Sequence, residues 1–350
     1  MLARSHLARC PVCSSERIDT RTEVTCRESA QHFVLREENR GRNKALESHI
    51  RTLWGDDHCY LRLCMDCGFR FADPFVAGDM TFYNLAYDRT RYPTDKWEYQ
   101  RTIEELAEES FQAQRVLEIG SGFGHFLDKI AGTYVPISGI TALEFDDRSA
   151  GILRGNGYEV IQDDIRSATI NGKFDAIFMF QVLEHMDRID GLIDRLSFLL
   201  RDGGLLFIAV PNPRRIHFNE DNGSLLDMPP NHIGLWSEHA FGSIHSRHRL
   251  RLDKCEVEPF NLKDFIKQDI AWSYLRKSHE SGTVANWSQS LMKASYGKSL
   301  RALVACMNAP TRIRFWRKAA TDKDLGGSLW ARFTRLPDTK HQLGRDQARE

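Results

Sequence analysis

The chain has 350 residues, and its 48 lysines and arginines balance 48 aspartates and glutamates, so the formal net charge is zero. With 41% hydrophobic and 27% charged residues, the composition is typical of a globular protein and excludes a disordered chain or a wholly basic nucleic-acid binder. No apolar run approaches the roughly 18 residues of a membrane span, and the first residues lack the apolar core of a secretory signal. We therefore predict a cytoplasmic protein with one large domain and appendages, or with two domains.

The first segment, residues 1–80, is predicted to be a zinc-binding module, because four of the eight cysteines lie in two Cys-x-x-Cys pairs. In a reducing compartment such pairs are typical of metal ligands rather than of disulfides. One pair can bind zinc from a single tight turn, and a second pair completes a closed tetrahedral shell with a structural role. The predicted ligands are Cys10, Cys13, Cys64 and Cys67. The 50 residues between the pairs require an insertion. Cys26 or Cys59 is an alternative ligand, and free or redox-active thiols are the alternative interpretation.

Residues 81–110 are predicted to form a helical connector, and residues 111–260 an α/β domain. In the domain, short apolar runs alternate with stretches of helical periodicity. This alternation is typical of right-handed crossovers and of a doubly wound, mainly parallel sheet. The predicted buried strands lie at residues 115–119, 137–143, 158–162, 174–182 and 205–210.

The last segment, residues 261–350, is predicted to be a basic and mainly helical extension. It holds seventeen lysines and arginines against eight aspartates and glutamates, an excess of nine positive charges. One stretch interleaves a ring with cations, as a nucleic-acid groove would; its residues are Arg312, Arg314, Trp316, Arg317 and Lys318. A solvated helical face or a partner surface explains the charge equally well, and a nucleic-acid substrate is disfavoured.

A glycine loop, Gly120 to Gly124, follows the first strand of the α/β domain and leads into a helix. Glycines at every second position allow a tight turn and the close approach of a ligand to the backbone. A dinucleotide fingerprint would require a glycine where His125 stands. Glu118 precedes the loop at the end of the strand.

The order Glu-x-Gly-x-Gly-x-Gly over residues 118–124 resembles the first motif of class I S-adenosylmethionine (SAM) dependent methyltransferases, and the similarity extends through most of residues 115–211. The resemblance implies SAM as cofactor and a seven-stranded sheet. It implies that an acid after the second strand binds the ribose; Glu144 is the candidate and Asp146 the alternative. It also implies that an acid lies near the adenine amino group; Asp164 is the candidate and Asp163 the alternative. The implied cofactor-binding residues are Glu118, Gly120, Gly122, Gly124, Glu144, Asp164, Ile165 and Gln181.

Residues 10–250 also resemble the zinc-containing methyltransferases of sugar and natural-product pathways. The similarity rests on the two cysteine pairs, on the aromatic-x-x-Pro closure from Phe71 to Pro74, and on tyrosine-rich helices ahead of the methyltransferase domain. It implies a zinc-ribbon-like amino-terminal module. The sugar C-methyltransferases of this family carry a second domain much larger than the last 90 residues of this chain, which puts carbon methylation in doubt.

Two histidines are the candidate catalytic bases, because ligands of doubly wound sheets bind beyond the carboxyl ends of the strands. His185 directly follows the fourth strand. His232 lies after the fifth, in a Pro-Pro-x-His motif that recurs near the acceptor in related methyltransferases. The alternative role of His232 is to cap a turn, and that of His185 is contact with the cofactor or a local hydrogen bond. Arg214 and Arg215 are candidates to bind an anionic acceptor. Aromatic residues on the connector are candidates to cover the methionine end of SAM, or else to pack a helix: Tyr83, Tyr87 and Tyr92.

These observations predict a SAM-dependent methyltransferase with structural zinc that acts on a small polar acceptor, such as a sugar or polysaccharide precursor. The competing predictions are an RNA or protein methyltransferase that holds its target with the zinc module and the tail, and a zinc-ribbon interaction protein with a vestigial methyltransferase fold.

Overall fold

The computed structural model describes residues 9–87, 94–222, 227–245, 247–269 and 309–337. The amino-terminal part contains β1 (Ile18–Thr25), α1 (Cys26–Phe33), α2 (Arg40–Trp54), β2 (His58–Cys64), β3 (Arg70–Asp73), α3 (Met80–Ala86) and α4 (Trp97–Glu108). The central part contains β4 (Val116–Ile119), α5 (His125–Ile130), β5 (Ile140–Leu143), α6 (Asp147–Gly155), β6 (Glu159–Ile161), β7 (Phe174–Phe180), α7 (Ile189–Leu199) and β8 (Leu200–Pro211). After it come α8 (Pro213–Asp221), β9 (Gly234–Leu235), α9 (Glu238–His245), β10 (Leu250–Val257), α10 (Ala309–Ala320) and β11 (Ser328–Arg335).

The central sheet has seven strands in the order β10-β11-β8-β7-β4-β5-β6. Strands β4 to β8 are mutually parallel, whereas β11 is antiparallel to both of its neighbours. The chain order reverses direction between β4 and β7, and such a switch point places a ligand site beyond the carboxyl ends of these two strands. The predicted doubly wound, mainly parallel sheet of seven strands is confirmed, and each of the five predicted strands overlaps one of β4 to β8.

Alternating side chains of the strands pack into two separate cores, one on each face of the sheet. In β7, Ile177 and Met179 belong to the core that contains α7, whereas Phe178 and Phe180 belong to the core that contains α4 and α5. A strand that is buried on both faces has apolar residues at successive positions. This explains the continuous apolar runs in the sequence.

The carboxyl-terminal region supplies one strand of the central sheet. Strand β11 lies between β8 and β10, and Trp330 and Phe333 are fully buried in the two cores. The mainly helical extension predicted from residue 261 is therefore wrong for residues 328–335, and residue 260 is not the boundary of the sheet. The strand was missed because Arg332 and Arg335 interrupt its apolar pattern.

The amino-terminal sheet has the order β1-β2-β3-β9, so a segment far along the chain completes it. Strand β9 pairs with β3 through Phe71 and Gly234. Residues of this module, including Phe69 and Phe71, share one core with α7 and the central sheet. The insertion predicted between the cysteine pairs consists of β1, α1, α2 and β2.

Among the helices that the structure describes, none is long and apolar enough to cross a membrane.

Candidate active site and cysteine cluster

The glycine loop connects β4 to α5 with three glycines in the left-handed region, at φ of 72° for Gly120, 54° for Gly122 and 80° for Gly124. The amide of Gly120 donates to the carbonyl oxygen of Leu143 at 2.8 Å, which holds the loop against the end of β5. A Cβ on Gly120 would lie 2.4 Å from Cγ2 of Val182, so only glycine fits there. The loop is thus packed against the turn that follows β7.

Two buried acids flank this loop. Glu144 accepts hydrogen bonds from the amides of Gly122 at 2.7 Å and of Asp146 at 3.0 Å. Burial raises the pKa of Glu144, and the backbone donors oppose the rise. Burial also raises the pKa of Glu118 well above its usual value, and its Oε2 has no hydrogen-bond partner among the described residues. An ammonium group of a ligand would supply that partner and favour the carboxylate. The predicted roles of Glu118 at the methionine end of SAM and of Glu144 at the ribose remain predictions.

The other predicted cofactor residues already have partners within the protein. Asp164 is bound by Arg166, whose Nε lies 2.7 Å from Oδ1; burial would raise the pKa of Asp164, but this guanidinium lowers it. Ile165 is buried in the core. Nε2 of Gln181 donates to Oε1 of Glu98 at 3.1 Å and lies 3.3 Å from Oγ of Ser328. Asp146, the alternative to Glu144, caps α6 by accepting from the amide of Ser149.

A second group of polar residues meets beyond β7. A short 3-10 turn, Leu183–His185, carries Glu184 and His185, and the loop from Asp227 carries His232. The amide of Ile233 donates to the carbonyl oxygen of Glu184 at 2.9 Å, which joins the loop to the turn. The rings of His185 and His232 have centroids 4.7 Å apart. The structure thus brings together the two predicted catalytic histidines.

Each of these histidines is oriented by a partner at Nδ1. His185 has the carbonyl oxygen of Asn231 at 2.6 Å, and the hydroxyl of Tyr83 lies 3.1 Å from the same nitrogen. His232 has Oδ1 of Asp227 at 2.6 Å. A carbonyl oxygen only accepts, so Nδ1 of His185 carries the proton and Nε2 has the lone pair in the neutral ring.

Two carboxyls, those of Glu184 and Asp227, are buried in this group and change the pKa values within it. Burial would lower the pKa of His232, but the Asp227 carboxylate outweighs burial and raises it to about 9. Burial raises the pKa of Glu184 to about 7. Oε2 of Glu184 and Oδ2 of Asp227 have no hydrogen-bond partner in the described ranges. His232 is therefore protonated at neutral pH in this state, which does not suit a free general base.

Sequence reasoning missed Glu184 and Asp227 as members of this group. Glu184 directly precedes His185, and Asp227 begins the proline-containing loop that carries His232. Their closeness in sequence to these histidines is the feature that could have identified them. Tyr83 is a predicted cover for SAM, and in the structure its hydroxyl contacts His185 from α3. Tyr87 packs beside Tyr83 with ring centroids 6.3 Å apart. Tyr92 lies outside the described residues.

The basic residues proposed for other ligands have acidic or apolar neighbours. Arg214 pairs with Asp322 at 2.9 Å and with Asp324 at 3.0 Å. Arg215 donates to the carbonyl oxygen of Leu325 and stacks on a phenylalanine ring. In the tail, Nε1 of Trp316 donates to Oδ2 of Asp269 at 2.7 Å. These contacts hold residues 309–337 against the rest of the protein.

The four predicted metal ligands form one cluster, in which the sulfur atoms all lie within 4.8 Å of one another. Sγ of Cys10 is 3.6 Å from Sγ of Cys67, and Sγ of Cys13 is 3.5 Å from Sγ of Cys64. A tetrahedral zinc site with bonds of about 2.3 Å has sulfur atoms roughly 3.8 Å apart. The distances and the four-sulfur donor set therefore fit a zinc ion.

Both cysteine pairs have the same turn geometry. The amide of Ser14 donates to the carbonyl oxygen of Cys10 at 2.9 Å, and the amide of Gly68 donates to that of Cys64 at 3.0 Å. The strands β1 and β2 are antiparallel and place Ile18 opposite Cys64, which brings the two turns together across the insertion. Cys26 and Cys59, the alternative ligands, are buried elsewhere in a separate core.

Comparison with known proteins identifies the central part of the chain. Residues 89–253 match the model of a methyltransferase domain family. Together with the sheet order and the glycine loop, this match shows that the chain contains a SAM-dependent methyltransferase domain.

Two ubiquinone biosynthesis O-methyltransferases are among the curated relatives. The protein from Mesorhizobium japonicum is 28% identical over 108 residues, which cover 29% of this chain and 43% of the relative. The protein from Chelativorans sp. is 29% identical over 113 residues, which cover 30% of this chain and 44% of the relative. The chain thus spans less than half the length of these relatives.

Solved methyltransferase structures are more distant. N-methyltransferase NodS from Bradyrhizobium japonicum, in complex with S-adenosyl-L-homocysteine, has a TM-score of 0.41 at 14% identity, covering 70% of this chain and 89% of NodS. A sarcosine dimethylglycine methyltransferase from Galdieria sulphuraria has a TM-score of 0.43 at 14% identity, covering 68% of this chain and 86% of that protein. At these TM-scores the fold assignment rests on strand order and on the family match.

Proposed function

We propose that the chain transfers the methyl group of SAM to a small polar acceptor, such as a sugar or a natural-product precursor. The observation that carries the proposal is the adjacency of two sites. The glycine loop touches Val182, and the turn after Val182 carries Glu184 and His185. A methyl donor bound on the loop would thus adjoin the polar group around His185 and His232.

Methyl transfer from a sulfonium is an in-line displacement, so alignment of donor and acceptor accounts for much of the rate. In the proposed arrangement, the loop with Glu118 and Glu144 binds SAM, and Tyr83, His185 and His232 face the acceptor. Of the two histidines, we propose that His185 accepts the exchangeable proton of the acceptor, because His232 is already protonated at neutral pH. The names of the curated relatives support an acceptor oxygen.

We further propose that the cysteine cluster holds one structural zinc ion. This assignment is supported by the matching backbone hydrogen bonds of the turns that begin at Cys10 and Cys64, and by the distances between the sulfur atoms. A reduced cluster of this kind also supports the predicted cytoplasmic location, since thiols persist in reducing compartments.

The function is tested first by calorimetry with SAM on folded, zinc-loaded protein, and then by turnover. Small hydroxylated acceptors are offered together with SAM, and S-adenosylhomocysteine formation and product mass are measured. We expect SAM binding and transfer to one class of these acceptors. A folded sample that does not bind SAM would refute the enzyme function, and transfer to RNA or protein alone would refute the acceptor class.

A further inference from the structure

Three side chains beyond β7 have the composition of a metal site. Glu184, His185 and His232 each offer one ligand atom, and these atoms lie within 4.8 Å of one another. Nε2 of His185 is 3.8 Å from Oε1 of Glu184. Nitrogen and oxygen ligands at about 2.0–2.2 Å from one ion lie roughly 3–3.5 Å apart. Small side-chain movements of about 1 Å would therefore complete the site.

The hydrogen bonds around the two histidines are those of metal ligands. Asn231 and Asp227 hold the Nδ1 atoms of His185 and His232, each at 2.6 Å. Nε2 is then the nitrogen with the lone pair in each neutral ring. Metal-binding histidines typically donate their second ring nitrogen to a backbone carbonyl or to a carboxylate in this way, which fixes the tautomer and the ring orientation. Both arrangements occur here.

The buried carboxyl of Glu184 also favours a cation at this position. The Glu184 side chain is only 1% exposed, and its Oε2 has no hydrogen-bond partner in the part of the chain that the structure describes. Asp227 adds a second buried carboxylate. The nearby cation Arg70 is paired with Glu220, to whose Oε1 it donates a hydrogen bond of 2.9 Å. Asp227 is paired with His232, but a buried Glu184 carboxylate without a donor is costly, and a positive ion beside it would stabilise its charged form.

We propose that Glu184, His185 and His232 bind one divalent transition-metal ion of the manganese, iron or zinc class. Two imidazoles and one carboxylate leave further coordination positions open. Metal binding itself does not rest on the proposed function, but its catalytic consequence does. With the ion bound, it would replace the histidine base: it would coordinate the acceptor hydroxyl and lower its pKa, and the proton would leave to solvent. The oxygen would then attack the methyl carbon of SAM, and the carbon–sulfur bond would break with its electron pair on sulfur.

Manganese is the probe for this site, because Mn²⁺ prefers oxygen and nitrogen ligands, whereas the cysteine cluster offers soft thiolates. The full chain, loaded with one equivalent of zinc for the cysteine cluster, is titrated with Mn²⁺, and the free ion is followed by electron paramagnetic resonance. We expect one Mn²⁺ per chain, and a loss of affinity of at least tenfold in Glu184→Gln and in His232→Asn. Asp227→Asn should weaken binding by about 10- to 100-fold, since it acts through His232.

His58→Asn is the matched control, because His58 lies on β2 with 42% of its side chain exposed and is no part of the group. It should bind Mn²⁺ like the unaltered chain. SAM affinity and melting temperature verify that each variant is folded. A folded chain that fails to bind Mn²⁺, or equal affinity in Glu184→Gln, overturns the inference. Methyl transfer without Mn²⁺ binding would leave the proposed function intact, whereas Mn²⁺ binding without transfer to any acceptor would remove only that function.

Discussion

Oγ of Ser237 donates a 2.9 Å hydrogen bond to the carbonyl oxygen of Cys67, a member of the cysteine cluster. Ser237 follows His232 by five residues, and between them β9 pairs with β3. The ring of Phe69 packs on that of Trp236 with centroids 4.8 Å apart. The cysteine cluster is therefore part of the support for the loop that carries His232.

Metal removal should consequently affect the acceptor side of the site more than the cofactor side. We expect about one zinc per chain by metal analysis, and its loss in Cys64→Ser, because a structural zinc site needs all four thiolates. Acceptor turnover should fall further than SAM affinity, since the glycine loop lies on β4. Cys255→Ser is the control, because Cys255 lies on β10 outside the cluster and should keep the metal. A folded chain without metal contradicts the zinc site.

The glycine loop gives a prediction with a closely matched control. Gly120→Ala should weaken SAM binding at least tenfold, because the new Cβ would meet Val182 at 2.4 Å and displace the loop. Gly132→Ala has the same left-handed strain at φ of 74°, but no atom lies within 4 Å of its Cβ. Both variants should lose about 1–2 kcal/mol of stability from the backbone strain. Calorimetry should find normal SAM affinity only in Gly132→Ala, and equal losses would mean that the loop is misassigned.

Glu144 should contribute to SAM affinity through its charge. Hydrogen bonds to a charged group are worth about 1.5–3 kcal/mol, so Glu144→Gln should weaken SAM binding by about 10- to 150-fold. Glu159→Gln is a suitable comparison, because Glu159 lies on the neighbouring strand β6 and accepts only from Thr141 among the hydrogen bonds described. Unchanged affinity in Glu144→Gln would move ribose binding to another acid, with Asp146 the next candidate.

The parts of the fold that the sequence predicted are those with strong local patterns. Strands β4 to β8 are continuous apolar runs because both faces are buried, and the cysteine ligands have a spacing set by one tight turn. The glycine loop is similar, since its conformation depends on residues that are adjacent in sequence. Local geometry was sufficient in each case.

The parts that were missed depend on contacts between distant segments. Strand β11 contains Arg332, whose charge is balanced by Glu105 some 227 residues earlier. The burial of Glu184 and its closeness to Asp227 likewise follow from the packing of a distant loop against the turn after β7. No local pattern in the sequence indicates such pairing. The sequence therefore predicts helix where β11 lies, and it does not identify Glu184 and Asp227 as members of the site.

Glu105 provides a stability prediction for this long-range network. Its side chain is fully buried and contacts Lys254 at 2.8 Å, Arg101 at 2.7 Å and Arg332. Burial would raise the pKa of Glu105, but these three cations lower it. Because removing one partner of a buried ion pair leaves uncompensated charge, Glu105→Gln should lower the free energy of unfolding at pH 7 by about 3–5 kcal/mol.

The pH dependence of this effect has a definite sign. A carboxyl whose pKa is lower in the folded than in the unfolded state stabilises the fold above its unfolded pKa, which is about 4.3 for glutamate. That contribution is lost as the pH falls through the folded value, so the difference between Glu105→Gln and the unaltered chain should narrow below about pH 4. Urea unfolding of both proteins at pH 7 and pH 3 measures this difference in the free energy of unfolding. Glu108→Gln is the control, since Glu108 is 63% exposed and lies 3.7 Å from Lys254; it should change stability by less than about 1 kcal/mol. Equal losses in the two variants at pH 7 would show that the buried network does not hold β10 and β11 to α4.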